Sequence, residues 1–133
     1  MPGERILLVD DNPSNLKVLE LALGGEGYQI DKASSGARAL ELVAELAPAL
    51  ILMDLQMPGM DGLEVTRIIK SDPKNAAIVV LAVTSYAMKG DRERALGAGC
   101  DGYLSKPIDT RAMPKLVAAA LAARRHHGDS SHG

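Results

Sequence analysis

Acidic, hydroxyl and cationic residues recur in this chain at one kind of place, directly after a short apolar run. Arg5 to Val9 (RILLV) leads into Asp10-Asp11, Ala49 to Met53 (ALILM) into Asp54, Ala77 to Val83 (AIVVLAV) into Thr84-Ser85, and Gly102 to Ser105 (GYLS) into Lys106-Pro107. A carboxylate where a buried strand ends is fixed by the packing behind it and open to solvent in front, which suits a reactive group. Three carboxylates held together repel, so their pKa values rise or a cation neutralises them. Hard oxygen ligands with no His or Cys beside them favour Mg2+ over zinc or copper. A lysine and a hydroxyl next to that cation form a cage for the oxygens of a phosphoryl group, whose transfer needs a metal, a cation, hydrogen-bond donors and an aligned nucleophile. A carboxylate can be that nucleophile and become an aspartyl phosphate. Taken singly, each residue has an ordinary reading: Asp10 or Asp11 as a helix cap, Thr84 as a capping hydroxyl, Lys106 as a solvated surface lysine. Four strands ending this way on one sheet edge is much harder to attribute to chance.

Whether these residues meet depends on the elements that carry them. RILLV is a continuous apolar run, expected of a strand covered on both faces. Asn12 follows as an N-cap with Pro13 at the first helical position, and Leu16, Leu19 and Leu23 keep helical spacing up to Gly24-Gly25. Tyr28 to Lys32 is a less apolar strand, expected nearer an edge. Ser35 caps the next helix, with Ala39, Leu40, Val43 and Ala47 as its expected buried stripe and Pro48 as its stop. Ala49 to Met53 is the third strand. Leu63 to Lys70 is a helix with Val65, Ile68 and Ile69 expected to face inward, and Ser71-Asp72-Pro73 is a turn.

Ala77 to Val83 is the most apolar run and the fourth strand. Met88 to Ala98 is a helix poor in apolar anchors, charged at Asp91-Arg92-Glu93-Arg94 and interrupted by Gly90 and Gly97, hence among the least stable elements. Gly102 to Ser105 is the fifth strand. The last helix begins near Asp109, with Met113, Leu116, Val117, Ala120 and Leu121 on its periodic face; Pro114, just past the first turn, is expected to cost a hydrogen bond. From Arg124 the tail RRHHGDSSHG has no apolar residue and is expected to be frayed or disordered, and its three histidines are assigned no role. The division expected is one domain over residues 1–123 and a polar tail over 124–133. Five strands alternating with five helices predict an open parallel α/β sheet with right-handed crossovers, whose ligands bind outside the carboxyl ends of the strands.

Composition agrees. At 133 residues the chain can close one core without disulfide or metal staples. Its hydrophobic fraction of 47% contains no Phe or Trp, and such an aliphatic core suits helices packed on a parallel sheet. A net charge of −2 gives no basic footprint, so nucleic-acid binding by this domain is not expected. The lone Cys100, in GAGCDGYL, reads as a small buried residue rather than a reactive thiol. The N-terminal MPGERILLVDD lacks a signal-peptide core and no apolar run reaches membrane-span length, so the chain is read as cytoplasmic, without a membrane partner.

The DD after the first strand, the block DLQMPGMDG, the VTS after the fourth strand and the SKPI after the fifth resemble the receiver domain of two-component response regulators, over about Arg5 to Ala123. The resemblance implies a flavodoxin-like (βα)5 sheet of strand order 2-1-3-4-5. It implies that Asp54 is a phosphoacceptor, charged by a histidine kinase, a histidine phosphotransfer protein or a small acyl phosphate. The protein would then be a switch that promotes only its own phosphorylation and dephosphorylation. Asp11 would bind Mg2+ directly and Asp10 would assist; Asp54 and the main-chain carbonyl of Gln56 would complete the protein's share. Lys106 and the Thr84 hydroxyl would bind phosphoryl oxygens, Ser85 would keep access open, and Lys106-Pro107 would be a cis peptide. Tyr103 matches the switch aromatic that moves with Thr84, changing the surface of the fourth helix, fifth strand and fifth helix for a downstream protein. Gln56 and Tyr86, each two residues beyond Asp54 and Thr84, match positions that tune phosphoryl lifetime. The block Val83 to Ile108 looks most like single-domain regulators and hybrid-kinase receivers.

Other classes fit less well. An aspartate-based phosphatase of the haloacid dehalogenase type needs a second acid two residues after its nucleophile, where this chain has Gln56. A flavodoxin-like electron carrier needs small hydroxyl and Gly residues in its first loop, where Asp10-Asp11 would repel a phosphate. A degenerate receiver used only for docking would lack part of the phosphorylation set. A receiver cut from a longer hybrid kinase or multidomain regulator stays open beside a stand-alone regulator.

Overall fold

A computed structural model describes residues 3–57, 59, 61–85, 90–106 and 108–130, with side chains for all of these except 91 and 124–130. Its strands are β1 (Arg5–Val9), β2 (Gln29–Ala33), β3 (Leu50–Asp54), β4 (Val79–Thr84) and β5 (Gly102–Ser105). They alternate with α1 (Pro13–Leu23), α2 (Gly36–Leu46), α3 (Gly62–Ser71), α4 (Asp91–Gly97) and α5 (Met113–Ser130). All pairings are parallel and the order is β2-β1-β3-β4-β5, as expected.

The two-residue period of the strands sorts the core into two layers. Leu7, Val9, Ile51, Met53, Val80 and Ala82 face the layer that holds Ala39 and Val43 of α2, Leu63, Val65 and Ile69 of α3, and Ala95 of α4. Their strand neighbours Ile6, Leu8, Leu50, Leu52, Val79 and Leu81 face Leu16, Leu19 and Leu23 of α1 and Met113, Val117 and Leu121 of α5. Every residue of the central strands β3 and β4 is buried. The outer strands β2 and β5 are more open, which explains the weaker apolar signal of β2.

Local signals place the helices. The Asn12 side chain accepts from Ser14 N at 2.9 Å with Pro13 first in α1, and Ser35 Oγ accepts from Arg38 N at 3.2 Å in α2. Asp61 caps α3, accepting from Leu63 N and Glu64 N. Three strand starts differ by a residue or two: Gln29 rather than Tyr28 opens β2, Leu50 rather than Ala49 opens β3, and 73–77 form turns before β4.

Some expected core positions turn outward. Ala47 is not in the α2 stripe: it is the C-cap at φ 47, exposed, since Pro48 disfavours the right-handed helical conformation at the preceding residue. Leu42 takes a buried place instead. In α3, Ile68 is 43% exposed while Thr66 is fully buried, its hydroxyl donating to Gly62 O at 2.8 Å. A polar side chain that bonds one turn back can occupy a core position, so hydrophobicity alone gave the wrong face. Leu116 is likewise 43% exposed, leaving Met113, Val117 and Leu121 as the buried stripe of α5. Pro114 is the second residue of α5, which begins at Met113, a position where a missing N–H is tolerated. The start expected near Asp109 is a turn whose Asp109 carboxylate accepts from Arg111 N and Ala112 N.

Two further expectations change. The fourth helix is shorter, α4 spanning Asp91–Gly97, and Met88, within its expected span, lies outside the described residues. The helix of α5 continues to Ser130, through most of the stretch expected to fray. Its Ala- and Arg-rich approach favours propagation, in which each added residue gains one backbone bond.

Candidate functional site

The carboxyl ends of β1, β3, β4 and β5 form one edge, and ladder bonds continue past the strand ends to hold the next residues. Asp10 N donates to Ala33 O at 3.1 Å, Leu55 N to Val83 O at 2.9 Å, and Lys106 N to Thr84 O at 2.8 Å. The functional side chains are therefore anchored by sheet geometry rather than by free loops.

Asp10, Asp11 and Asp54 converge there, each with a carboxylate oxygen within 4.8 Å of the others. Asp10 and Asp54 are each 2% exposed, whereas Asp11 faces solvent. Lys106 Nζ lies 3.5 Å from Asp10 Oδ2 and 3.5 Å from Asp54 Oδ2, bridging the two buried acids. Asp10 is held further by Asn12 N on Oδ1 at 2.9 Å and by Asn15 Nδ2 on Oδ2 at 3.1 Å. Asp54 Oδ1 accepts from Gln56 N at 3.0 Å.

Burial pushes the Asp54 carboxyl above its ordinary pKa. The Gln56 N–H bond opposes the rise, the charge of Asp10 adds to it, and Lys106 opposes it by charge and hydrogen bonding. One ammonium does not offset two buried carboxylates and a third beside them, so the cluster suits a further cation. All the candidate donors are carboxylate or carbonyl oxygens, which fit a hard ion such as Mg2+.

The hydroxyl of the set is also in place. Thr84 is buried at 3% exposure, and its Oγ1 accepts from Gln56 Nε2 at 2.8 Å. Ser85 is exposed, and its backbone N donates to Gln56 Oε1 at 2.9 Å. The Gln56 side chain thus joins the end of β3 to the end of β4. A cleft runs beside the cluster, with Asp10, Asn15, Ser85 and Lys106 polar on its walls and Val18, Leu19 and Ile108 apolar.

Tyr103 is half-buried on the sheet face that carries α2, α3 and α4, with Ala82 as its register partner. Thr84 follows Ala82 by two residues, so the strand period places Thr84 and Tyr103 on the same face. Tyr86 and Pro107, and with Pro107 the expected cis peptide, lie outside the described residues.

Two supporting residues, Asn15 and Gly62, and one side-chain contact of Gln56 escaped the reading of the sequence. Asn15 sits in the first turn of α1, five residues past Asp10, and that spacing was a usable signal. The Gln56 side chain was considered only as a neighbour of the phosphoryl group, not as a bridge across 28 residues to Thr84. Gly62 packs against the backbone that carries Asp54, and nothing local in the sequence announces it.

With that geometry in place, comparison with known proteins is specific. A family model of the response regulator receiver domain matches residues 6–118. The polar-differentiation response regulator DivK of Brucella ovis is 46% identical over 112 residues, covering 84% of this chain and 89% of that protein. The receiver domain of a sensor histidine kinase from Pseudomonas aeruginosa, solved with a magnesium ion coordinated in its active-site cleft, is 33% identical with a TM-score of 0.82, over 90% of this chain and 98% of the other. A CheY-like receiver domain protein from Methanospirillum hungatei gives a TM-score of 0.87 at 26% identity, over 94% and 98% of the two chains. Among the described residues, no helix is long and apolar enough to cross a membrane.

Proposed function

The chain belongs to the response regulator receiver family, whose members are phosphoacceptor switches, and on that premise we propose that Asp54 is its phosphoacceptor. The observation that carries this reading is the shared ammonium, Lys106 Nζ at 3.5 Å from both Asp54 and Asp10, beside a third carboxylate. A general base would call for a His or an enclosed substrate pocket, and this edge is an open cleft with an acid cluster at its end.

The residues divide the work as follows. Gln56 N–H fixes Asp54 Oδ1, so the carboxylate meets the donor in one orientation. A carboxylate oxygen forms the bond to phosphorus as the bond to the donor breaks, and the imidazole of a phosphohistidine or the carboxylate of an acyl phosphate departs with the electron pair. Lys106 and Thr84 bind the phosphoryl oxygens as charge shifts onto them, and the exposed Ser85 leaves the approach open. Asp11, Asp10 and Asp54, with the Gln56 carbonyl, are the residues that would hold Mg2+. That ion would neutralise the acids and the phosphoryl oxygens together.

Response regulator receivers act between histidine kinases and downstream targets. For this chain the upstream partner is a histidine kinase or histidine phosphotransfer protein, acting on a receiver unit of residues 1–123. The readout passes from Thr84 to Tyr103, on the same face, and so to the surface of α4, β5 and α5. Gln56 and Tyr86 are assigned to tuning the phosphoryl lifetime.

The test is incubation with acetyl phosphate and Mg2+, read by intact mass, comparing wild type with Asp54→Asn. Gain of one phosphoryl group by wild type alone is the expected result. Equal gain by both proteins, or none by wild type, overturns the assignment.

A further inference from the structure

We propose that the Gln56 side chain is a latch, holding the Thr84–Ser85 end of β4 away from a phosphoryl group until that group displaces it. This rests on the reading of Asp54 as acceptor and adds a regulatory element to the same site. The geometry is a two-point clasp. Ser85 N–H can only donate, so the oxygen of the Gln56 amide must face it, at 2.9 Å. The amide nitrogen is then turned to Thr84 Oγ1, at 2.8 Å, and the hydroxyl accepts from it. The orientation of the amide is therefore fixed by its partners.

The backbone of the same residue donates to Asp54 Oδ1 at 3.0 Å. Gln56 thus touches the acceptor with its main chain and the phosphoryl-binding hydroxyl with its side chain. In the latch, movement of Thr84 and Ser85 toward a phosphoryl group on Asp54 breaks both side-chain bonds. Removing the side chain leaves the main-chain bond to Asp54 intact, so the latch is separable from the acceptor. Two neutral bonds of ordinary net strength amount to roughly fivefold to 150-fold in the equilibrium between latched and phosphoryl-bound states.

The latch gives Gln56 a positioning role with a definite sign: losing it strengthens phosphoryl capture. A side chain that supported the bound phosphoryl group would give the opposite sign. Gln56→Met separates the hydrogen bonds from the space the chain fills, because Met keeps the length and loses both polar ends.

The experiment titrates beryllofluoride in the presence of Mg2+ by calorimetry into wild type, Gln56→Met, Gln56→Ala, Thr84→Ala and the Gln56→Met/Thr84→Ala double variant. Both Gln56 variants are expected to bind roughly fivefold to 150-fold tighter than wild type. The gain should shrink in the Thr84→Ala background, because neighbours that share a bond are not additive. Amide hydrogen exchange at Ser85 should be faster in Gln56→Met than in wild type before any ligand is added. Affinity that is unchanged or weaker in Gln56→Met overturns the latch, as does a gain seen only with Gln56→Ala, which would assign the effect to bulk. Acetyl phosphate labelling of the same samples distinguishes the two failures. Normal labelling of wild type with no gain in the variants removes the latch alone, whereas no labelling of wild type removes the acceptor reading and the latch with it.

Discussion

Gly62, the first residue of α3, lies so close to Asp54 that a β-carbon built on it would sit 2.5 Å from the Asp54 carbonyl oxygen. The same atom would be 2.9 Å from Leu55 Cα. Both obstacles are backbone, so neither can rotate out of the way. The helix that packs against β3 therefore approaches the acceptor strand only because this residue has no side chain.

Gly62→Ala is expected to push α3 away from the end of β3. Overpacking of this kind costs about 1–3 kcal/mol. A lowered urea midpoint should accompany slower acetyl phosphate uptake, since the displaced backbone carries Asp54. Unchanged stability and uptake would show that the helix shifts freely.

Asp54→Asn is expected to stabilise the metal-free protein. The folded state holds the Asp54 carboxyl above its ordinary value of 3.8, chiefly by burial, so ionisation is penalised in the folded chain relative to the unfolded one. That penalty is fully present above the raised folded pKa, shrinks as pH falls through it, and vanishes below the unfolded value. The variant should melt a few degrees higher than wild type at neutral pH, with the gap closing in acid. Thermal melts across that range in EDTA check the sign.

Mg2+ is expected to raise the melting temperature by binding the folded acid cluster. At a free concentration about a hundredfold above Kd, the linkage is worth ~2.7 kcal/mol. Asp11→Ala should abolish most of this shift while leaving the metal-free melt nearly unchanged, because Asp11 is exposed and outside the core. An equal Mg2+ shift in the variant would place the ion elsewhere.

Lys70 offers a contrast far from the acid cluster. Its Nζ donates to Ala76 O at 3.2 Å and Ile78 O at 2.6 Å and pairs with Asp101 Oδ2 at 2.8 Å, while the same Asp101 oxygen accepts from Val80 N. Lys70→Met should remove this tie between the end of α3 and the start of β4. Part of the group is solvated, so a loss of about 1–3 kcal/mol is expected in denaturant melts. Phosphoryl uptake per folded molecule should stay at the wild-type level.

Much of the site was legible because parallel α/β folding converts sequence position into spatial position. An apolar run long enough for a strand, followed by a polar residue, puts that residue on the carboxyl edge whatever lies between the runs. Asp10, Asp54, Thr84 and Lys106 could be gathered this way, since each ends or directly follows its own strand. Helix faces were less legible. Ile68 and Leu116 were placed inward on hydrophobicity, but orientation is set by the whole stripe and by partners such as the Gly62 carbonyl that admits Thr66.

The sequence by itself determined the chemical inventory of the edge, because that follows from local runs and the residues that end them, while the strand order came through the family resemblance alone. Only the tertiary structure decided how that inventory is shared. It set Lys106 equally between Asp10 and Asp54, turned Asn15 onto Asp10, brought Gly62 against the acceptor strand and clasped Gln56 to Thr84 and Ser85. These relations depend on distances between separate strands and helices, and such distances exist only once both layers of the core have packed.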